Sequence, residues 1–207
     1  AAGVRPWRCA EIRVALPARI DLAGGWSDTP PHSLERGGAV LNAAVTIDGI
    51  LPIQVEARRL AEPAFHFASG DLGVEQTCTR LDDLLDYANP HDPLAIHKAT
   101  LAYVVLGGSR PRRTLGHLIE ALGGGLSLHS NVRLPKGSGL GTSSILAATV
   151  LSTLGEVCGL AWDKNALFTR TLALEQMLTT GGGWQDQAGG IFRGIKMIET
   201  SSGLKQS

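Results

Sequence analysis

Apolar and polar residues alternate from Ala10 to Leu16, the period of a strand with one buried face. Pro17 interrupts, and a second strand-like run, Arg19 to Ala23, ends at Gly24-Gly25. Residues 39–50 and 51–57 predict two further strands meeting at Asp48-Gly49, a dipeptide suited to a hairpin turn. From Arg80 the pattern becomes helical. A short helix is predicted over Arg80 to Tyr87, a longer one over Leu94 to Leu106 closed by Gly107-Gly108, and another over Thr114 to Leu122 closed by Gly123-Gly124-Gly125. Leu126 to Leu134 returns to a strand and an Ala-rich helix follows over Ile145 to Cys158. Asp163 suits the N-cap of a helix reaching Leu178, which Gly181-Gly182-Gly183 stops. Ile191 to Ile198 predicts a last strand.

Strands crowd the first half and helices the second. That order predicts an α+β fold with helices packed on one face of a mixed sheet, and no internal repeat divides it. The 207 residues suit one domain or a domain and a half. Nineteen basic and nineteen acidic side chains cancel, so nothing electrostatic points to a nucleic-acid or membrane partner. Cys9, Cys78 and Cys158 lie too far apart for a disulfide framework or a metal spacing, and with no signal peptide or membrane-length apolar run the expectation is cytoplasmic. The six histidines (32, 66, 91, 97, 117, 129) show no metal-ligand spacing and read as structural or exposed. Glycine stands out. There are 26, where average usage gives about 14 to 15, and they cluster beside the predicted elements.

One cluster carries chemistry. Pro135-Lys136-Gly137-Ser138-Gly139-Leu140-Gly141-Thr142-Ser143-Ser144 joins the strand ending at Leu134 to the Ala-rich helix. Glycine at every second position lets the backbone turn tightly and approach a ligand. The three hydroxyls fall at a helix N-terminus, where unpaired amides and the dipole favour an anion. This predicts a phosphate cradle with hydroxyls placed to meet a metal ion. It matches neither common fingerprint: the P-loop needs Lys where Leu140 stands, and the dinucleotide pattern needs Gly where Thr142 stands.

Other polar groups flank it. Arg19 lies within an apolar strand and must either snorkel or find an anionic partner. Trp26, Ser27 and Asp28 sit on a Gly/Pro-bounded loop, where an indole and a carboxylate suit a sugar; alternatively Asp28 caps the turn before Pro30-Pro31. Glu175, late in a helix, opposes the dipole and calls for a cation, either a basic side chain or Mg²⁺. Asp186 is read as a loop aspartate before a strand, in the position of a general base.

Taken in this order, the motifs resemble the GHMP kinase superfamily. Pro17-Ala18-Arg19 to Asp28 matches the family's first motif and Pro135 to Ser144 its phosphate loop. Gly-Gly-Trp-Ser-Asp-Thr-Pro-Pro, Gly-Ser-Gly-Leu-Gly-Thr-Ser-Ser and Thr-Thr-Gly-Gly-Gly-Trp-Gln-Asp-Gln-Ala-Gly-Gly are similar to the L-fucokinase branch. The resemblance implies a ribosomal protein S5 domain 2-like fold over residues 1–207. It implies ATP and Mg²⁺, with Pro135, Gly137, Ser138, Gly139, Leu140, Gly141, Thr142, Ser143 and Ser144 around the phosphates and Ser143 with Glu175 on the metal. Asp186 is implied as base, Arg19 as holder of the developing alkoxide, and Asp28, Trp26, Gly25 and Gly183 as sugar contacts. The reaction implied is phosphorylation of the anomeric hydroxyl of L-fucose to β-L-fucose 1-phosphate.

Two departures qualify the match. Galactokinases carry Gly-Glu-His where this chain has Gly24-Gly25-Trp26, which is read as a loop facing the C6 methyl of a 6-deoxy sugar. The family's Gly-rich C-terminal motif is absent from these residues, so the chain is expected to be the N-terminal part of a longer kinase, inactive alone. Rival readings are an arabinose kinase, a heptose-phosphate kinase, for which Arg36 is the one basic residue near the sugar loop, and a non-catalytic sugar and ATP sensor, against which the retained Asp186 argues. Oligomeric state stays open.

Overall fold

The computed structural model describes residues 7, 10–89, 91–106, 114–135, 137–160, 162–178 and 182–203. Cys9, Gly107-Gly108, Lys136 and Gly181 lie outside the described residues. Five strands form a mixed sheet: β1 (Glu11–Leu16), β4 (Ile53–Leu60), β7 (Gly125–Val132), β5 (Phe65–Ser69) and β6 (Val74–Cys78), in that spatial order. Its pairs are antiparallel except β5 with β7. A smaller antiparallel sheet takes β2 (Ala18–Ala23), β3 (Gly38–Val45) and β8 (Ile195–Thr200).

Period-two alternation decides which face of the larger sheet is covered. Val55, Ala57, Phe65, Phe67, Leu126 and Leu128 point one way and are buried under Leu101, Leu118, Leu122, Val150 and Leu154. The opposite face carries Arg13, Glu56 and Arg58, whose surface ion pairs contribute little to stability. Helices α3 (Ala95–Leu106), α4 (Leu115–Leu122), α5 (Thr142–Val157) and α6 (Lys164–Met177) form the covering layer. The shorter helices are α1 (His32–Arg36), α2 (Leu81–Leu85) and α7 (Gln185–Ile191). The helix α5 is central, resting on β1, β4 and β7 and touching α3, α6 and α7. Its buried threonines are satisfied internally: Thr149 donates to the Ile145 carbonyl at 2.7 Å and Thr153 to Thr149 at 2.8 Å.

The limits of α4 and the start of α6 agree with the sequence pattern because their caps are local. Thr114 and Asp163 accept from the amides of His117 and Ala166, and Gly123 closes α4 at φ +75°. Two expectations are corrected. Residues 39–50 and 51–57 do not form a hairpin: Asp48-Gly49 closes a tight turn with a single Ile47–Ile50 bridge, and β3 and β4 then part into different sheets. The segment holding Asp186 is not a loop leading into a strand at Ile191; residues 185–191 are helix α7, and the strand starts at Ile195. The helix α7 packs on β2 and β3 on one side and on α5 and α6 on the other, joining the small sheet to the helical layer. Among the described residues, no helix is long and apolar enough to cross a membrane.

Candidate functional site

The glycine-rich loop begins after β7 and feeds directly into α5, which starts at Thr142, three residues before the sequence pattern indicates. Gly137, Gly139 and Gly141 all adopt left-handed φ of +70° to +75°, a region costly for side chains bearing Cβ. Alternate residues are therefore glycine for a backbone reason. The first amides of α5 have no partner within the helix, and the Ser138 and Thr142 hydroxyl oxygens are buried without a hydrogen-bond partner. A loop with orphaned hydroxyls at a 16-residue helix's positive end fits a polyanion such as a triphosphate.

Arg19 finds its anionic partners, which settles the choice between snorkelling and pairing. It is buried, and Nε donates to Asp186 Oδ1 at 2.8 Å while Nη2 pairs with the same oxygen. On its other side Nη1 donates to Asp21 Oδ2 at 2.7 Å. The Arg19 amide donates to the Leu140 carbonyl at 3.3 Å, fastening β2 to the glycine-rich loop. A Cβ at Gly189 would lie 2.7 Å from the Arg19 stem and one at Gly141 3.2 Å from it, so both glycines make room for the arginine. Burial, resisted by Arg19 and reinforced by the charges of Asp186 and Asp28, pushes the Asp21 carboxyl above its ordinary value.

Asp28 has a different setting from the one expected. It is 1% exposed and does not line the cavity described below. Its Oδ2 accepts from the Trp184 amide at 2.7 Å and the Gln185 amide at 2.8 Å, across 156 and 157 residues of sequence. It is thus a tertiary cap on α7, the helix bearing Asp186. Gly183 has no room for a Cβ because the Asp28 carboxylate occupies that space. Gly25 faces Asp21 rather than the cavity, while Trp26 stands 76% exposed at the cavity edge. The indole residue has φ +70° and its amide donates to Gln185 Oε1 at 3.2 Å.

Glu175 is buried on α6 and receives the Gln187 Nε2 amide. Burial raises its carboxyl above the ordinary value, opposed by hydrogen bonds from Ser144 and Gln187 and reinforced by Asp186. The hydroxyl bonded to it is that of Ser144, the neighbour of the expected Ser143. Among the described residues no group of three or more His, Cys, Asp and Glu could hold a metal. The donor set instead fits Mg²⁺, which binds through one or two carboxylates together with substrate phosphates.

These groups converge on a cavity of about 740 Å³, within the range of small-molecule sites. Its lining brings Arg19, Asp21, Trp26, Gly183 and Asp186 together with Gly137 to Gly139, Gly141 to Ser144, and Glu175. Pro135 and Leu140 are outside the lining and act through the backbone, their carbonyls accepting from Ser138 and Arg19. Another part of the lining is apolar, formed by Tyr87, Ala88, Ala95, Ile96, Ala147 and Leu178 with Asn89, and Tyr87, Ile96 and Leu178 pack against the cluster that holds Ala147. Sequence reading missed that apolar set and Asp21. Tyr87 to Asn89 and Ala95 read as helix margins, and only packing brings them into a cavity lining; the signal for Asp21 was its i, i+2 spacing from Arg19 on one strand face. Arg36 lies apart, in a shallow cleft with His32 and Glu199.

Residues 109–194 match the family model for the GHMP kinases N terminal domain. The chain is 45% identical over 197 residues to the L-fucokinase/L-fucose-1-P guanylyltransferase of Bacteroides fragilis, covering 92% of this chain and 20% of that protein. It is 38% identical over 203 residues to the bifunctional fucokinase/GDP-fucose pyrophosphorylase of Arabidopsis thaliana, covering 97% and 18% respectively. The chain therefore spans about a fifth of the length of these curated relatives. Two solved structures share its fold. One is a D-glycero-D-manno-heptose 1-phosphate kinase from Bacteroides thetaiotaomicron, with TM-score 0.68, 21% identity, and 92% of this chain and 56% of that one covered. The other is the Lactococcus lactis galactokinase complexed with galactose, with TM-score 0.62, 20% identity, and 95% and 46% covered.

Proposed function

We propose that this chain, which carries the N-terminal domain of the GHMP kinases, is the ATP- and sugar-binding part of a kinase that phosphorylates the anomeric hydroxyl of L-fucose. The observation that carries this reading is the convergence of Asp186, Arg19 and the first turn of α5 on one cavity. The identity to two fucokinases supports the choice of sugar.

In this reading the triphosphate lies along Gly137 to Ser144, with its charge met by the α5 amides and the orphaned hydroxyls of Ser138 and Thr142. Adenine occupies the apolar part of the lining beside Tyr87, Ile96 and Leu178. Glu175, with Ser143 and Ser144 beside it, would hold Mg²⁺, which when bound neutralises phosphate charge. The sugar sits between Asp186 and Trp26. Asp186 accepts the proton of the anomeric hydroxyl, whose oxygen forms the bond to the γ-phosphorus as the bond from that phosphorus to the β,γ-bridging oxygen breaks and ADP leaves. Arg19 steadies the charge on the attacking oxygen. Positioning and charge neutralisation are most of what phosphoryl transfer requires.

ADP release by the full-length protein tests the reading. L-fucose is expected to support turnover and L-galactose, which differs from it only by a 6-hydroxyl, to support at least about 10-fold less, a difference of the size a mismatched polar group imposes. Asp186→Asn is expected to lower kcat by about 100-fold or more, the usual contribution of a positioned base. Equal turnover of both sugars would refute the choice of fucose, and an undiminished Asp186→Asn variant would refute the base.

A further inference from the structure

Arg19 is shared, and the sharing is asymmetric. Its two contacts to Asp186, from Nε and Nη2, fall on one carboxylate oxygen, Oδ1. The familiar bidentate pairing, in which guanidinium and carboxylate meet through two parallel bonds, is not formed. The third contact, from Nη1 to Asp21 Oδ2 at 2.7 Å, holds the opposite side of the same plane.

Asp21 is well placed to keep that arrangement. It stands two residues from Arg19 on β2, so both side chains project from the same strand face toward α7. Its Oδ1 is buried without a hydrogen-bond partner, so among the described residues Arg19 is the basic group that compensates its charge. The arginine stem is already confined between Gly141 and Gly189, which leaves turning of the planar head as its main freedom.

On the sugar-kinase reading above, we propose that Asp21 is a positioning residue: it holds the Arg19 head turned so that only Asp186 Oδ1 is engaged, leaving Oδ2 outside the pair to take the sugar's proton. Without Asp21 the guanidinium swings onto both oxygens of Asp186 and occupies the base. The carboxylate that organises the reacting end is then Asp21, while Asp28 supports α7 from behind.

The test uses the full-length protein and the ADP-release assay with L-fucose. Asp21→Ala is expected to lower kcat about 10- to 100-fold while KM for ATP changes less than about 3-fold, the pattern of an interaction exerted in the transition state. Asp21→Asn, which keeps an acceptor oxygen for Nη1, is expected to lose less. In an Arg19→Lys background, whose ammonium cannot bridge two carboxylates as a fork, Asp21→Asn or Asp21→Ala should add less than about 3-fold, because the residues act as a unit. Asp21→Ala with kcat within about 2-fold of wild type, or an Asp21 effect of equal size with Arg19 or Lys at position 19, overturns the proposal. If Asp21→Ala does not fold, the cycle with Asp21→Asn decides by the same criterion. A wild-type protein that releases no ADP with any sugar overturns the parent reading and this inference with it; normal wild-type turnover with an indifferent Asp21 overturns this inference alone.

Discussion

Replacing Asp28 by alanine removes the acceptor for two buried amides at the start of α7, those of Trp184 and Gln185. A neutral N-cap is worth about 0.5–2 kcal/mol. Here the acceptor is charged and 1% exposed, and charge-assisted bonds are about twice as strong as neutral ones. Each amide left buried and unpaired costs about 1–3 kcal/mol, part of which water entering the vacated space recovers. The expected loss is about 3 kcal/mol, which for a protein of this size lowers Tm by roughly 6–12 °C. Asp28→Asn keeps one acceptor oxygen and should lose about 1 kcal/mol. Gly183 supplies a second arm. Gly183→Ala drives a methyl into the Asp28 carboxylate and should cost about 1–3 kcal/mol as overpacking, yet little more once Asp28 is alanine, since the obstructing group is gone. Thermal melts of the two single variants and the double variant measure all of this. Additive losses, or an Asp28→Asn variant that raises the sugar KM with unchanged Tm, would refute the capping role and restore Asp28 as a direct sugar ligand.

Two further outcomes depend on pH. Glu175 has its carboxyl raised above the ordinary 4.5, first by burial, so between that value and its folded value the native state binds more protons than the unfolded state and stability falls as pH rises; Glu175→Gln should therefore have a higher urea midpoint than wild type near pH 7.5, a gap that closes toward pH 4, and a variant less stable at pH 7.5 would refute this. His97, fully buried and bonded to Ser130 at 2.9 Å, is pushed by burial from 6.5 down to about 4. The unfolded state then binds the extra proton, and at about 1.4 kcal/mol per pH unit about 3 kcal/mol of stability should drain away between pH 6.5 and 4. His97→Gln should flatten that limb in urea titrations, and a parallel decline in both proteins would sink the assignment.

Local signals were legible in the chain and distant ones were not. Thr114, Asp163 and Gly123 announce helix ends because a cap needs only residues within one turn. The alternate glycines of the loop before α5 announce their backbone for the same reason. Asp48-Gly49 announces a turn, correctly, yet cannot say whether the strands it joins will pair; β3 and β4 separate because the buried faces of two different sheets claim them. Strands β5 and β6 were not anticipated, since β5 gains its place beside β7 only by a parallel pairing across some sixty residues.

By itself the sequence determined the α+β class, the glycine-rich loop at the mouth of α5, and Arg19, Glu175 and Asp186 as candidate groups, because each rests on periodicity, turn chemistry or a motif read over a few residues. Tertiary structure alone decided how those charges are used. It turned the Asp186 segment into a helix, assigned Asp28 to that helix's amides, set Asp21 against Arg19, and brought the apolar residues around Tyr87 into the cavity lining. A carboxylate's role depends on which donors reach it, and for Asp28 those donors lie more than 150 residues away.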